Sequence, residues 1–321
     1  MSERRWNPQL QQWVIVATHR QDRTFKPPTE FCPLCPTKPD AFPTEIPADD
    51  YEIVVFENKF PSLRTPAPAI EVPGTELYPV APAEGVCEVV CYSPHHNRTL
   101  ADEPVEHVRN LIQVWTDRWQ ELGQRDDIDY VFIFENRGEA VGVTLHHPHG
   151  QIYGFSYIPP VLEKELAAAK DHHTKHERCL YCDILAEETT GGRVIAQNSG
   201  FTAFVPFFAR FPYEVHLYAN RHVGSLADLH ESEQLQLAQV LKQVITAYDE
   251  LFGFVLPYIM VLHQRPTNGD YPEYHFHFEF YPFHRAENKL KYLAGVESGA
   301  GTFITDMSPE EQARRLRGEQ R

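Results

Sequence analysis

Apolar residues recur at two spacings along the chain, and the two spacings predict different elements. A repeat of three to four residues predicts amphipathic helices over Ala101–Gly123 and Ser232–Phe252. Apolar runs of strand length flank both helices, at Cys87–Tyr92, Tyr130–Glu135, His146–Ile158, Tyr213–Tyr218, Leu256–Leu262 and Tyr274–Tyr281. The order strand, helix, strand, strand therefore occurs twice, which predicts an α+β fold.

The two halves can be superposed residue by residue. Thr99–Asp102 (TLAD) corresponds to Ser225–Asp228 (SLAD), 126 positions later, and His147–Tyr153 corresponds to His275–Tyr281, 128 positions later. A nearly constant offset indicates an internal duplication. We therefore predict two tandem units, residues 1–170 and 171–321, each with a mostly antiparallel sheet and packed helices. A helical segment at Val161–Glu188 joins them.

The two ends of the chain lie outside this repeat. Residues up to about 86 are rich in proline and predict a region of strands and loops, with apolar runs at Trp13–Val16 and Tyr51–Phe56. Ser308 and Glu311 have the spacing of a capping box. A terminal helix is therefore predicted over Ser308–Arg317.

Composition limits the partners that the chain can have. Hydrophobic residues make up 42% of the 321, enough to bury a core, so disorder is disfavoured. The formal charge of −16 disfavours binding to nucleic acid or to an anionic membrane. No apolar run approaches the roughly 20 residues that span a bilayer, and the stretch WVIVA is too short for a signal peptide. We expect a soluble, cytoplasmic protein.

Four of the six cysteines form two C-x-x-C pairs, at Cys32/Cys35 and Cys179/Cys182. In a chain without an export signal, such pairs indicate a metal site or a redox pair. Because the first pair contains Pro33 and lies in a proline-rich segment, the sequence favours tetrahedral Zn²⁺ over redox chemistry. His96 and His147, each predicted at the end of a strand, are the natural further ligands.

The string His147-Pro-His149-Gly-Gln151 carries the strongest indication of catalysis. On a strand, the two imidazoles and the Gln151 amide share one face. A neutral imidazole can attack phosphorus, an amide can hold a phosphate oxygen, and Gly150 would let a ligand approach the backbone. The alternative is a pair of histidines that only binds metal or packs in the core.

The corresponding string of the second unit, His275-Phe-His277-Phe-Glu279, replaces glycine and glutamine by bulkier or charged residues. It is poorly suited to hold a phosphate, which leaves metal binding or core packing. Two ligand sets remain open from the spacing, and a vestigial cysteine pair is a third possibility. The sets are Cys179, Cys182, His222 and His275, or Glu165, His263, His275 and His277.

Several polar residues are available to bind an anionic ligand, although each alone would be typical of a solvated surface. They are Arg20, Arg23, Asn58, Asn136 and Lys291. The sequence has no G-x-x-x-x-G-K-[ST] and no G-x-G-x-x-G string, so it supports neither P-loop nucleotide hydrolysis nor hydride transfer.

At His147–Tyr153, HPHGQIY, the chain resembles the galactose-1-phosphate uridylyltransferase family, a two-copy branch of the histidine-triad superfamily. Other strings follow the family's pattern in the same order. They are RRWNP (Arg4–Pro8), HRxxR (His19–Arg23), FENKF (Phe56–Phe60), VCYSPxH (Val90–His96), FENRG (Phe134–Gly138), HFHFEFYP (His275–Pro282) and KxxxGxE (Lys291–Glu297). The resemblance implies two tandem histidine-triad-like units.

The resemblance also implies a ping-pong exchange in galactose metabolism. His149 would take the uridylyl group from UDP-glucose and pass it to galactose 1-phosphate, while Gln151 holds the phosphate and the main chain of His147 orients the nucleophile. The family works as a homodimer whose subunits share each site. Implied nucleotide-sugar contacts are Arg20, Arg23, Asn58, Asn136, Gly142, Thr144, Gln151, Lys291, Tyr292, Val296 and Glu297.

Two metals are implied in the same way. A structural zinc would lie on Cys32, Cys35, His96 and His147. A second metal, iron or zinc, would lie on Glu165, His263, His275 and His277, with Cys179, Cys182 and His222 as alternative ligands.

The sequence departs from better-known members of the family at several positions. Lys59 replaces an aspartate beside Asn58, Tyr153 and Val143 replace a tryptophan and a cysteine, and the second C-x-x-C is an addition. Two other functions are considered: a dinucleotide phosphorylase or adenylyltransferase of the same superfamily, and a zinc-stabilised nucleotide-binding module.

Overall fold

The computed structural model describes residues 2–22, 31–40 and 42–319, and within these the chain forms fourteen strands and six α-helices. The strands are β1 (Ser2–Asn7), β2 (Gln12–Ala17), β3 (Val54–Glu57), β4 (Val80–Pro82), β5 (Gly85–Cys91), β6 (Tyr130–Arg137), β7 (His149–Phe155), β8 (Val194–Gln197), β9 (Phe201–Phe204), β10 (Val215–Ala219), β11 (Tyr258–His263), β12 (His277–Pro282), β13 (His284–Ala286) and β14 (Lys289–Leu290). The helices are α1 (Val105–Gly123), α2 (Pro160–His176), α3 (Leu180–Thr190), α4 (Glu231–Leu251), α5 (Gly295–Ala300) and α6 (Pro309–Leu316).

Nine strands form one continuous antiparallel sheet in the order β3-β5-β7-β6-β11-β12-β10-β9-β8. The units β5-α1-β6-β7 and β10-α4-β11-β12 have the same element order, which agrees with the predicted duplication. They meet at the pair β6–β11, where Phe134 lies opposite Val261. The predicted sheets of the two units are thus joined edge to edge.

Helices α1 and α4 pack together on one face of this sheet. Their apolar stripes, including Trp115 and Leu241, are fully buried against sheet residues such as Ile152 and Phe278. On the other face of the second unit, α2 and α3 bury Leu166 and Tyr181. The same face of the first unit has no such helical cover among the described residues, and this leaves room for a site there.

Two predicted helix boundaries are wrong, and each has a local cause. Helix α1 begins at Val105 rather than near Asp102, because Pro104 disfavours helical backbone in the residue before it. The Asp102 carboxylate instead accepts a hydrogen bond of 2.7 Å from the Thr99 amide. The joining segment is two helices rather than one, since Glu177 ends α2 in a left-handed conformation with φ of 55°.

The terminal helix α6 is confirmed, and Ser308 Oγ accepts a hydrogen bond from the Glu311 amide as the capping box predicts. No helix in the described part of the chain is both long enough and apolar enough to cross a bilayer.

Candidate active site and metal clusters

The candidate active site lies on the face of β6 and β7 that has no helical cover. Alternation along β7 places His149, Gln151 and Tyr153 on this face, and Phe134 of β6 lies opposite Gln151 in the register. The loop from Gly138 to Leu145 borders the same face. Together they surround a cavity of about 190 Å³, lined by Arg20, Phe134, Asn136, Gly142, Val143, Thr144, Leu145, His149, Gln151 and Tyr153.

Six of the residues expected to act at the site therefore line one cavity: Arg20, Asn136, Gly142, Thr144, His149 and Gln151. A neighbouring cavity of about 270 Å³ shares His149 and Asn136 with it and adds Arg98 and His146. Three arginines (Arg20, Arg98 and Arg137) and a single carboxylate, Glu135, line the two cavities around His149, in a chain that is otherwise strongly acidic. This environment suits an anionic ligand that reaches the imidazole.

The orientation of His149 is fixed by its neighbour in the sequence. His149 Nδ1 lies 2.7 Å from the main-chain oxygen of His147, so Nδ1 carries the proton and donates it to that carbonyl. The lone pair of the neutral ring is then on Nε2. A neutral imidazole with a fixed tautomer is the form that can attack an electrophilic phosphorus.

His147 itself belongs to the first metal cluster. Its Nδ1 lies 3.5 Å from Cys35 Sγ, and His96 Nδ1 lies 3.6 Å from the same sulfur. With Cys32 they offer two sulfur and two nitrogen atoms, all within 4.8 Å of one another. This donor set is the one that tetrahedral Zn²⁺ prefers, so the residues fit the expected zinc.

The other nitrogen of His147 is held by oxygen atoms. Nε2 lies 2.7 Å from Ser93 O and 2.8 Å from the hydroxyl of Tyr51. Burial lowers the pKa of His147 to about 4, so the ring is neutral at physiological pH. With the Nε2 proton directed at these oxygens, Nδ1 presents its lone pair to the cluster.

Gly150 has a different role from the predicted one. A Cβ at this position would lie 2.1 Å from Tyr92 Oη and 3.0 Å from Phe134 O. Tyr92 is buried on the helix-covered face, behind the strand. The glycine is therefore required by the packing of Tyr92, and the prediction that it admits a ligand to the backbone is wrong.

A second cluster repeats the first in the other unit. Cys179, Cys182, His222 and His275 place one ligand atom each within 4.8 Å of the others. His275 Nδ1 lies 3.5 Å from Cys182 Sγ, and its Nε2 lies 3.0 Å from Ala219 O. Ala219 follows Ser93 by the offset of 126 found in the sequence.

A third cluster contains Glu165, His263, His277 and Glu279. Glu165 Oε2 lies 3.0 Å from His263 Nδ1, and His277 Nε2 lies 3.5 Å from Glu279 Oε1. Burial alone would raise the pKa of Glu279, but the imidazoles of His216 and His263 lower it well below its usual value. Two carboxylates and two imidazoles suit iron or zinc.

The expected ligand set Glu165, His263, His275 and His277 is therefore corrected at one position. The structure places His275 with the cysteines, and Glu279 takes the fourth place beside Glu165. His275 lies just before β12 and His277 is its first residue, and the two meet different elements, the start of α3 and Glu165 of α2. The structure thus has two separate clusters where the spacing offered one set or the other.

The other expected residues in the described part of the chain do not line the cavity around His149. Arg23 lies outside the described residues. Asn58 Oδ1 accepts a hydrogen bond of 2.9 Å from the Phe60 amide. Phe60 O accepts one of 3.1 Å from Arg20, so the loop that contains Asn58 contacts a residue of the cavity lining. Lys291 and Glu297 form a buried ion pair of 2.9 Å, whereas Tyr292 and Val296 are exposed.

Tyr51 and Glu279 belong to the metal clusters or contact them, and neither was predicted there. Tyr51 contacts His147 from a distant segment, and nothing local in the sequence indicates this. Glu279 could have been found, because it follows His277 by two residues as Gln151 follows His149. The hydrogen bonds agree with this equivalence, since His277 Nδ1 lies 2.9 Å from the main-chain oxygen of His275, as His149 Nδ1 lies near that of His147.

The fold and the site together define a duplicated α+β protein with a histidine in a polar cavity beside a cysteine–histidine cluster. The chain belongs to the galactose-1-phosphate uridylyltransferase family, a family of nucleotidyltransferases. The N-terminal domain of that family, described as "Galactose-1-phosphate uridyl transferase, N-terminal domain", matches residues 1–159, and the C-terminal domain matches residues 165–320.

Individual relatives agree with this assignment. The galactose-1-phosphate uridylyltransferase of Thermotoga maritima is 40% identical over 319 residues, which cover 99% of this chain and 98% of that protein. A solved uridylyltransferase structure superposes with a TM-score of 0.89 at 34% identity, over 99% of this chain and 98% of that one. An ADP-glucose phosphorylase of Arabidopsis thaliana shares the fold, with a TM-score of 0.75 at 24% identity, 99% of each chain being covered.

Proposed function

We propose that the protein exchanges UMP between UDP-glucose and galactose 1-phosphate, as an enzyme of galactose metabolism. The observation that carries the proposal is the fixed tautomer of His149 in a cavity that also contains Gln151, Asn136 and Arg20. These groups offer a nucleophile, two neutral amides and one cation. The names of the relatives supply galactose 1-phosphate and the uridylyl group, and UDP-glucose as the donor is what the family resemblance implies.

In the first half-reaction, His149 Nε2 attacks the α-phosphorus of UDP-glucose. A nitrogen–phosphorus bond forms, the bond from that phosphorus to the bridging oxygen breaks, and glucose 1-phosphate leaves with the electron pair. The Nδ1 proton stays on the ring, and its hydrogen bond to the His147 carbonyl stabilises the positive charge that develops. Gln151 donates its amide N–H to a phosphate oxygen without competing for a proton.

In the second half-reaction, a phosphate oxygen of galactose 1-phosphate attacks the same phosphorus. A new oxygen–phosphorus bond forms as the nitrogen–phosphorus bond breaks, which yields UDP-galactose and returns the lone pair to His149 Nε2. No net proton is transferred, so the site requires no general acid or base. Arg20 would balance the charge of the bound phosphates.

Zinc in the first cluster would be structural. Cys32, Cys35, His96 and His147 would hold it, and the ion would neutralise the thiolates and fix the ring of His147. Since the carbonyl of His147 holds His149, the metal would act on the nucleophile by positioning it. The second metal, iron or zinc, would lie on Glu165, His263, His277 and Glu279, away from the cavity.

Two tandem units, near residues 1–170 and 171–321, would correspond to the two duplicated parts of the sheet.

A homodimer would bring Tyr292 and Val296 of one subunit to the cavity of the other, since neither lines the cavity of its own chain. The six free cysteines are compatible with a cytoplasmic location.

Steady-state kinetics with two pairs of substrates test this function. With UDP-glucose and galactose 1-phosphate, we expect UDP-galactose to form with parallel double-reciprocal plots, and His149→Gly to be inactive. Turnover of ADP-glucose with phosphate, and none of the uridine pair, would instead support a phosphorylase or adenylyltransferase. Binding of nucleotide without turnover of either pair would support a binding module.

A further inference from the structure

The cluster of Cys179, Cys182, His222 and His275 has no part in the proposed mechanism. None of its members is among the residues that line the two cavities around His149. The cluster lies between the joining segment and the sheet of the second unit. Cys179 is the residue before α3, and His275 lies just before β12. Its role must therefore be sought outside the reaction.

The two imidazoles of this cluster are oriented as metal ligands would be. His222 Nε2 lies 2.8 Å from Pro272 O, and His275 Nε2 lies 3.0 Å from Ala219 O. Because each Nε2 donates its proton to a main-chain carbonyl, each Nδ1 carries a lone pair. Both Nδ1 atoms face sulfur: His222 lies 3.9 Å and His275 3.5 Å from Cys182 Sγ.

This arrangement matches the first cluster in its details. In both, a C-x-x-C pair meets one histidine from the loop after a strand (His96 or His222) and one from the start of an H-x-H string (His147 or His275). In both, the second histidine gives its Nε2 proton to the residue at the corresponding point of the chain, Ser93 or Ala219. A vestigial cysteine pair gives no reason for both rings to keep this orientation.

We propose that Cys179, Cys182, His222 and His275 bind a Zn²⁺ ion of their own, so that the chain holds two Cys₂His₂ sites in addition to the carboxylate–histidine cluster. The ion connects the start of α3 to the loop after β10 and to the segment before β12. It thereby connects the joining segment, which contains α2 and α3, to the sheet of the second unit. This inference does not rest on the proposed function, because its test counts metal ions.

The test is zinc content per chain, measured by elemental analysis of the full-length protein purified with zinc. The variant Cys179→Ser/Cys182→Ser should contain one zinc ion fewer than wild type and keep uridylyl exchange. The matched variant Cys32→Ser/Cys35→Ser should also lose one zinc ion. An unchanged zinc content in the first variant would overturn the proposal, whatever the second one shows.

A second measurement covers the case in which the double variant does not fold. Wild-type protein freed of metal and titrated with Co²⁺ should develop thiolate-to-cobalt charge-transfer absorption over two equivalents. His222→Gln, which changes one exposed ligand, should weaken the binding of one equivalent only. Charge-transfer absorption that is complete after one equivalent in wild type would contradict the second site.

Discussion

At the scale of single residues, a chain of short contacts links the first metal cluster to the nucleophile. Tyr51 contacts the ring of His147, that ring faces Cys35, and the His147 carbonyl holds the ring of His149. Burial raises the pKa of Tyr51, so its hydroxyl stays protonated. The second cluster lacks a tyrosine hydroxyl at the corresponding Nε2 among the contacts of the described residues.

Tyr51→Phe should therefore weaken the first cluster without removing it. The loss of a partner to a ligand's second nitrogen typically lowers metal affinity about 10- to 100-fold. We expect faster release of one zinc ion to a chelator and a lower kcat, with KM nearly unchanged. The exposed Tyr78→Phe is the control, and equal zinc release from both variants would show that Tyr51 has no such role.

Gly150→Ala should destabilise β7 from its helix-covered face. The added methyl group would collide with Tyr92 Oη, and overpacking of this kind costs about 1–3 kcal/mol of unfolding free energy. Denaturant unfolding measures that cost. Tyr92→Phe removes the colliding oxygen, so the double variant should regain part of the stability. A double variant as unstable as the sum of the two single changes would contradict the assignment.

At the scale of elements, β6 carries two different environments on its two faces. Asn136 faces the cavity, whereas Glu135 and Arg137 are buried towards the helices. Burial raises the pKa of Glu135 from 4.5 to about 7, and Arg137 opposes this shift only in part. The folded protein therefore holds this proton more tightly than the unfolded chain does.

The sign of the resulting pH dependence follows from that difference. The contribution of Glu135 to the free energy of unfolding is present below pH 4.5 and is lost as the pH rises through about 7. The loss amounts to about 3 kcal/mol of unfolding free energy. Denaturant unfolding at several pH values should show this loss in wild type and in the exposed control Glu187→Gln. Glu135→Gln should reduce it, and an unchanged pH profile would contradict the assignment.

Much of the fold follows from local periodicity, because helices and strands bury apolar residues at different spacings. The order of elements and the capping box at Ser308 could be predicted for this reason. For His275, which lies two residues before His277 and just outside β12, the spacing offered the cysteines or Glu165 and could not choose between them. Which neighbour each meets depends on how α2 and α3 pack, and that is a tertiary property.

At the scale of the whole molecule, equivalent residues of the two duplicated units lie in different environments on one sheet. His149 and Gln151 face a cavity, whereas their counterparts His277 and Glu279 are buried under Tyr181 and Glu165. The offset in the sequence predicts the repeat, but the pairing of β6 with β11 depends on which strand edges meet. The continuous nine-stranded sheet could therefore not be predicted.

The proposed homodimer predicts that two inactive variants can complement each other. His149→Gly removes the nucleophile, and Tyr292→Ala removes an exposed residue that does not line the cavity of its own chain. If each site combines both subunits, random reassociation should restore about one quarter of wild-type activity. Activity of the mixture no greater than that of the separate variants would contradict a shared site.

In the proposed reaction His149 carries the transferred group, and the intact mass of the protein after mixing with UDP-glucose alone is the first measurement to make. Wild type should gain the mass of one uridylyl group and release glucose 1-phosphate, while His149→Gly should gain nothing. An adduct on both proteins would place the nucleophile elsewhere. The absence of an adduct on wild type would contradict the covalent mechanism.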